Sequence, residues 1–317
     1  MNLSLPGFTA PLISGVAQLS NLGVICAAGP DAAAFLQGQL TQDVLVMGHE
    51  TARLAAFCNA KGRMQASFVI FKRTNEDGLE EFLMVCSADI LAQTLKRLNM
   101  FVMRAKVRLR DVSANFNLYG LVGGAIDSGA NSPSIHWSKH VFEGQDRVFL
   151  YPAAGLERVL CCVPNTLPPP EGAHVSLETW NWLEVQSGIA MISQPTFEAF
   201  VPQMLNYESV GGVSFKKGCY PGQEVVARSQ FRGTLKRRAY VVRGGVELRV
   251  GQDVFHSLDA EQPCGMVAAC AAHPNRGFDA IVSMQTAATL SGTLTLNDAQ
   301  GEVLELLPLP YPLLDDI

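Results

Sequence analysis

The run Lys216-Lys217-Gly218-Cys219-Tyr220-Pro221-Gly222-Gln223-Glu224 places one thiol between two ammonium groups and the expected start of a helix. Positive charge and the positive end of a helix dipole both favour the thiolate, the form that attacks, binds metal or senses oxidant. Cys219 is therefore the candidate nucleophile, with Lys217 as its charged neighbour. Val213-Ser214-Phe215 reads as a short strand leading into the thiol. Pro221 and Gly222 mark a turn, and Gln223 to Arg228 opens a helix with Glu224 in its first turn. A lone cysteine at such a turn is also compatible with a small core hydrophobe, so the flanking residues have to decide.

The elements around this segment can be read from pattern. Gly29-Pro30-Asp31 starts a helix over Ala32 to Leu40. Arg53 to Cys58 and Met64 to Lys72 read as a hairpin joined by Asn59-Ala60-Lys61-Gly62-Arg63. Phe82 to Cys86 is a further strand. Ser87 then caps a helix whose Leu91, Leu95, Leu98 and Val102 follow helical spacing. Lys106 to Val112 alternates charged and apolar residues as a half-exposed strand should. Gly123 to Ser134 is a loop, and Pro164 to Pro170 a stiff connector. Ser176 caps a helix ended by Gly188, with Trp180, Leu183, Glu184 and Ser187 on one face. After Arg238, short apolar runs separated by turn residues read as a small β-barrel or sandwich. Strands followed by helices and then a run of strands give an α+β architecture plus a β domain.

The bulk composition narrows the function classes. With 317 residues, 48% of them apolar and 17% charged, the chain suits a compact protein of two or three domains. A net charge of −5 argues against nucleic-acid binding over the whole surface. No apolar run approaches the roughly 20 residues of a membrane span. Met1 to Ala10 has no basic stretch leading a hydrophobic one, so a cytoplasmic location with reduced thiols is expected. The eight cysteines contain no Cys-x-x-Cys pair and the six histidines are scattered, so no metal site is expected. Neither Gly-x-Gly-x-x-Gly nor a phosphate-binding loop is present.

Several motifs in order resemble one family. Lys217-Gly218-Cys219-Tyr220-x-Gly222-Gln223-Glu224 with Ala227-Arg228 is similar to the signature of the YgfZ/GcvT-type folate-binding proteins. Phe200-Val201-Pro202-Gln203 with Asn206, then Gly211 to Phe215, resembles that family's approach to the cysteine. Phe231-Arg232-Gly233 with Lys236-Arg237-Arg238 resembles its continuation. Asp31 with Phe35 to Thr41 and Asp43 resembles the first family motif. Cys58-Asn59-Ala60-Lys61-Gly62-Arg63 resembles the second, and Pro308 to Tyr311 also fits. The resemblance runs from about residue 20 to the end.

The resemblance implies a fold and a ligand. The fold is two intertwined GcvT-like α+β subdomains over residues 1–238, then a small β-barrel over 239–317. The ligand is tetrahydrofolate or a derivative. Its pterin wants stacking surface and amide or carboxylate partners, and its glutamate tail wants basic residues. By resemblance the binding set is Trp180, Gln186, Gln203, Asn206, Tyr220, Gln223, Glu224, Arg228, Asn59 and Lys61. Trp180 has a second reading, as a core tryptophan on an amphipathic helix. Gln186 departs from the family, where a glutamate is usual, and so does Leu22, where close relatives can have a tryptophan. The basic run from Arg228 to Arg238 fits a polyglutamate tail, an RNA phosphate or an acidic partner; its last three residues read better as a solvated strand face.

The YgfZ branch implies an accessory factor for iron–sulfur cluster assembly or repair in client enzymes, including those that thiolate tRNA. Cys219 would be its working thiol, and folate and client or assembly proteins its partners. Such a protein is expected to be monomeric, without strong direct binding of nucleic acid or membrane. The alternative is aminomethyl transfer to tetrahydrofolate, as in the T-protein of glycine cleavage. That enzyme carries an aspartate pair after its Asn59-type loop, where this chain has Ala66 and Ser67, and a neutral strand holds no proton-handling carboxylate. A plain interaction scaffold is the third reading.

Overall fold

A computed structural model describes residues 13–126, 135–231 and 235–314. In chain order the strands and helices are β1 (Gly15–Gln18), β2 (Leu22–Ala28), α1 (Ala32–Gln37), β3 (Ala52–Cys58), β4 (Met64–Thr74) and β5 (Glu80–Ser87). There follow α2 (Ala88–Asn99), β6 (Arg108–Asp111), β7 (Phe116–Val122), β8 (Lys139–Phe142), β9 (Gln145–Phe149), β10 (Arg158–Pro164) and α3 (Leu177–Gln186). The last part holds α4 (Gln223–Phe231), β11 (Arg237–Gly244), β12 (Asp253–His256), β13 (Gly265–Ala272), β14 (Phe278–Gln285), β15 (Leu294–Leu296) and β16 (Val303–Leu307).

These strands make two five-stranded antiparallel sheets and a closed barrel. One sheet runs β3-β4-β5-β2-β6, the other β1-β7-β10-β9-β8, and the barrel β11-β14-β13-β12-β15-β16. The first strand pairs with β7 of the later sheet, Val16 opposite Leu121, while β2 enters the earlier one. That crossing intertwines the two α+β halves, as the family resemblance implies. Among the described residues no helix is long and apolar enough to cross a membrane.

Pattern explains most of this. β4 is buried from Met64 through Phe71 because both faces of its sheet are covered. α2 presents Ile90, Leu91, Thr94 and Leu98 to one of them. The barrel strands alternate. Tyr240, Val242, Val282 and Met284 fill the barrel, while Ala239, Val241 and Ile281 face outward into the core shared with both sheets. Adjacent Cys161 and Cys162 likewise point to opposite faces of β10.

Four expectations change. α1 ends at Gln37, because Gly38 to Leu40 turn to meet β3. Val213-Ser214-Phe215 is not a strand: Ser214 donates to the Thr41 carbonyl at 2.9 Å, but no ladder continues. Strands β7 to β10 fall in stretches to which the sequence reading assigned no element, and the loop expected over Gly123 to Ser134 lies largely outside the described residues. Arg238, read as a solvated residue, is buried and pairs with Glu208 at 2.7 Å. Arg232 lies outside the described residues.

Candidate functional site

A cavity of about 210 Å³ lies between the two sheets, α3 and the barrel. Its floor is a cross-strand row, Leu54 on β3, Val69 on β4 and Val85 on β5. Its ceiling includes Ala268, Ala269 and Cys270 of β13. Trp180 and Glu184, one helical turn apart on α3, form one wall, beside Tyr151 and Trp137. Ser176 caps α3 by accepting from the Thr179 N–H at 3.2 Å, which sets where the helix starts.

Trp180 is almost fully buried, lying flat on β7 at Gly120, where a Cβ atom would stand 2.4 Å from the ring. The Arg158 guanidinium sits 5.3 Å from the Trp180 ring centroid and donates from Nη1 to Glu184 Oε1 at 2.6 Å. Arg158 Nε donates to the Tyr151 carbonyl at 3.1 Å. The Arg158 side chain is 2% exposed and that of Glu184 31%. The cation is thus sunk beneath the wall, and the carboxylate it holds faces the cavity. Burial raises the pKa of the Tyr151 phenol, keeping it a neutral donor.

The other side of α3 is locked to the barrel. Asp279 on β14 is fully buried and accepts from Trp182 Nε1 at 2.7 Å and Gln186 Nε2 at 2.9 Å. Arg243 completes the cluster with two bonds to the same carboxylate, at 2.7 and 2.9 Å. Those bonds are the main cause of its raised pKa. Gln186 therefore serves the helix–barrel contact. A glutamate there would set a second carboxylate against Asp279.

The sequence context of Cys219 suggests a thiol at the rim of the pterin-accepting cavity; the structure instead sets it in a second assembly, outside the cavity walls. Of the eight cysteines, all described, Cys219 is the exposed one. Three sequence motifs converge on its loop. Thr41 Oγ1 accepts from the Ala56 N–H at 2.8 Å and donates to the Gly212 carbonyl at 2.7 Å. Gln42 Nε2 donates to the Gly211 carbonyl at 2.6 Å. Lys217 Nζ donates to the carbonyls of Gln37 and Leu40, the latter at 2.6 Å, so its charge caps the negative end of α1. Burial lowers the Lys217 pKa to about 8, opposed by Asp43 and by Cys219. Gly222, at φ +81°, lies against the Asn59-to-Gly62 turn, where a Cβ would stand 2.5 Å from the Asn59 carbonyl oxygen. The turn itself is held by Asn59 Oδ1, which accepts from the N–H groups of Lys61 and Arg63 at 2.9 and 3.0 Å.

No family model matches the chain. Curated relatives do. The chain is 30% identical over 309 residues to the tRNA-modifying protein YgfZ of Photorhabdus laumondii, covering 93% of this chain and 92% of the relative. It is 28% identical over 331 residues to the protein of that name from Edwardsiella ictaluri, covering 98% of each. The chain belongs to the YgfZ family. Its fold matches the glycine cleavage aminomethyltransferase T of Bartonella henselae with a TM-score of 0.69, over 94% of this chain and 86% of that one. At 15% identity the match to that enzyme speaks for fold alone.

In this YgfZ-family chain the sequence-predicted residues fall into three groups. Trp180 alone of them lines the cavity. Cys219, Lys217, Tyr220, Gln223, Glu224, Asn59 and Lys61 come together around the thiol loop and its supporting turn, and exposed Arg228 follows on α4. Within that group Tyr220 is buried, with the Lys217 ammonium 4.9 Å from its ring centroid. Gln186, Gln203 and Asn206 are committed elsewhere. Gln203 Nε2 donates to the Val226 carbonyl at 2.7 Å, which positions α4. Asn206, at φ +58°, exchanges two hydrogen bonds with the Ala239 backbone and also donates to Tyr311 Oη at 3.2 Å. It joins the barrel to the body.

Sequence reasoning missed Arg158, Tyr151 and Trp137. They lie on segments to which the sequence reading assigned no element, although the apolar run Val159 to Val163 is a strand signal that would have placed Arg158 at a strand start. Glu184 shares the Trp180 face by its spacing one helical turn on, which is the signal that marks it. The aspartate-pair positions are structural here: Ser67 Oγ accepts from the Ile192 N–H at 2.8 Å, and Ala66 is buried.

Proposed function

We propose that this chain binds tetrahydrofolate or a derivative in the Trp180 cavity and works as an accessory factor in tRNA modification, supporting iron–sulfur client enzymes through Cys219. The observation that carries the folate reading is the Glu184 carboxylate, held by buried Arg158 beside an indole and facing the cavity. A pterin presents a flat ring with an amino group and a ring N–H along one edge. Trp180 and Tyr151 offer aromatic walls, Glu184 a carboxyl acceptor paired with Arg158 and Asn181 an amide, so the residues present fit the group. Bound tetrahydrofolate supplies a carrier of one-carbon groups. What the chain's own residues do is bind, orient and exclude water. The name of the relatives, tRNA-modifying protein, supports the cellular role. The thiol reading is supported by exposure: seven cysteines are buried or partly buried, while Cys219 is presented on a loop that three motifs hold in place.

The thiol is tested in cells lacking this protein, by the activity of a tRNA-thiolating iron–sulfur enzyme. Cys219→Ala protein is expected to fold and to bind tetrahydrofolate while leaving that activity unrestored. Full rescue ends the thiol mechanism. Aminomethyl transfer is tested by turnover with tetrahydrofolate and a glycine-derived aminomethyl donor, and none is expected.

A further inference from the structure

The end of α2 carries an exposed apolar group with no role in the cavity. Met100 is 71% exposed, Phe101 43% and Met103 89%. Met103 holds φ +40°, a conformation uncommon outside glycine, in the turn that carries these side chains away from the core. Phe101 stacks edge-on against buried Phe57 at 6.4 Å, which fixes the group beside the end of β3. That strand leads directly into the Asn59 turn, and the turn supports the Cys219 loop through Gly222 and through Val225, 3.1 Å from where a Gly62 Cβ would lie. The apolar group and the thiol loop are thus joined through the end of β3 and the Asn59 turn.

Its charge has one dominant sign. Arg97, Arg104 and Lys61 are all exposed here, on a chain whose net charge is −5. The carboxylate of Glu198 lies near Arg97 and Lys61, its pKa lowered first by hydrogen bonds from Gln65 and Asn59, with those two cations adding to the effect. Cations around a methionine and phenylalanine centre are complementary to a face that is acidic at its edge and apolar within. Two unbranched thioethers suit such a surface to more than one partner of that kind, because methionine repacks easily. Single-stranded RNA would instead be met by exposed stacking rings in series, and Phe101 is the one exposed ring in this group.

We propose that the surface from Met100–Arg104 across the Asn59 turn to Cys219 docks partner proteins bearing an acidic-rimmed apolar face, and so delivers them to the thiol. This rests on the reading of Cys219 as the working thiol, and the experiment separates the two.

The probes are three synthetic disulfides of thionitrobenzoate: an acidic peptide with apolar residues at its centre, a basic peptide of the same apolar content, and a small neutral thiol. Cys219 thiolate attacks the probe sulfur, a new disulfide forms, and thionitrobenzoate leaves as a coloured thiolate. The Cys219→Ala protein gives the background. At low salt the wild type is expected to react about tenfold faster with the acidic peptide than with the basic one, the lower end of electrostatic enhancement. High salt should bring the ratio close to one. Arg97→Glu/Arg104→Glu should remove the preference. Met100→Ser/Met103→Ser should slow only the apolar-centred acidic peptide, and neither pair should alter the small disulfide.

No Cys219-dependent reaction with the small disulfide defeats the thiol reading and this proposal with it. Normal small-disulfide reaction without peptide preference defeats the docking surface alone. Binding of a labelled single-stranded RNA that the arginine pair abolishes and the methionine pair leaves intact assigns the face to RNA. A dimer in light scattering that the methionine pair dissociates assigns it to a second copy. Either result overturns the proposal.

Discussion

The Trp180 cavity and the Cys219 loop are built by opposite means. The cavity is walled mainly by regular elements, strands β3 to β5, helix α3 and barrel strand β13, and its one charged pair is sunk into the wall. The thiol loop has no regular structure of its own. It is held by side chains bonding to backbone: Thr41, Gln42, Lys217 and Asn59 each satisfy main-chain groups from a distant or turning segment. Packing suits a site that must exclude water and hold a flat ligand. Strapping suits a site that must expose one atom at a fixed place. The two share a sheet and no wall, so each can be damaged without the other.

The two close glycine contacts offer the sharpest separation. Gly120→Ala puts a methyl group into the Trp180 ring, and overpacking of this kind costs about 1–3 kcal/mol. Thermal unfolding should show that loss, and calorimetry should show tetrahydrofolate binding weakened while the rate of Cys219 alkylation stays unchanged. Alkaline pH breaks the comparison differently. Burial raises the pKa of Cys58 and Cys161 from 9.0 to about 12. Their contribution to stability is therefore complete below pH 9 and is lost as pH rises from 9 through 12. Lys217 acts in the opposite sense: its pKa falls from 10.5 to about 8, so the unfolded chain keeps that proton longer and this group favours folding as pH rises through that window. Unfolding midpoints should hold steady to pH 8.5 and drop by pH 11, and the Lys217→Met variant should drop more steeply.

Gly222→Ala should cost about 1–2 kcal/mol through its left-handed backbone alone, and its Cβ would also meet the Asn59 carbonyl. It should free the thiol loop from the Asn59 turn, seen as faster amide exchange at residues 216–222, with tetrahydrofolate affinity retained. Smallest of all, Cys219→Ala should change stability by no more than about 0.5 kcal/mol, as exposed substitutions do, because the side chain is exposed.

The thiol region was the more legible one because its signal is local. Lysine, glycine, proline and acidic residues mark turns and helix starts within a few positions, and α4 begins at Gln223 as that chemistry requires. The barrel was legible too, since its strands are short, apolar and punctuated. The cavity was not. Its walls come from residues more than 100 positions apart, and Arg158 enters on a strand whose partners β7 and β9 gave no clear alternation. The helix face of Trp180 and Glu184 was readable by spacing, but which of its two sides meets the barrel depends on Asp279. Nothing near Gln186 in sequence announces a buried carboxylate on β14. Gln203 and Asn206 show the same limit. Motif position marked them as notable, and only their partners show that they join α4 and the barrel to the body.

On the proposed function, ligand recognition belongs to the cavity and reactivity to the loop outside it. Calorimetric titration of tetrahydrofolate into the wild type, Glu184→Gln and Cys219→Ala proteins tests it in one series. Glu184→Gln should weaken binding by about tenfold or more, the effect of losing one charge-assisted hydrogen bond, while Cys219→Ala should bind as the wild type does. Equal affinity for Glu184→Gln, or a comparable loss for Cys219→Ala, would contradict it.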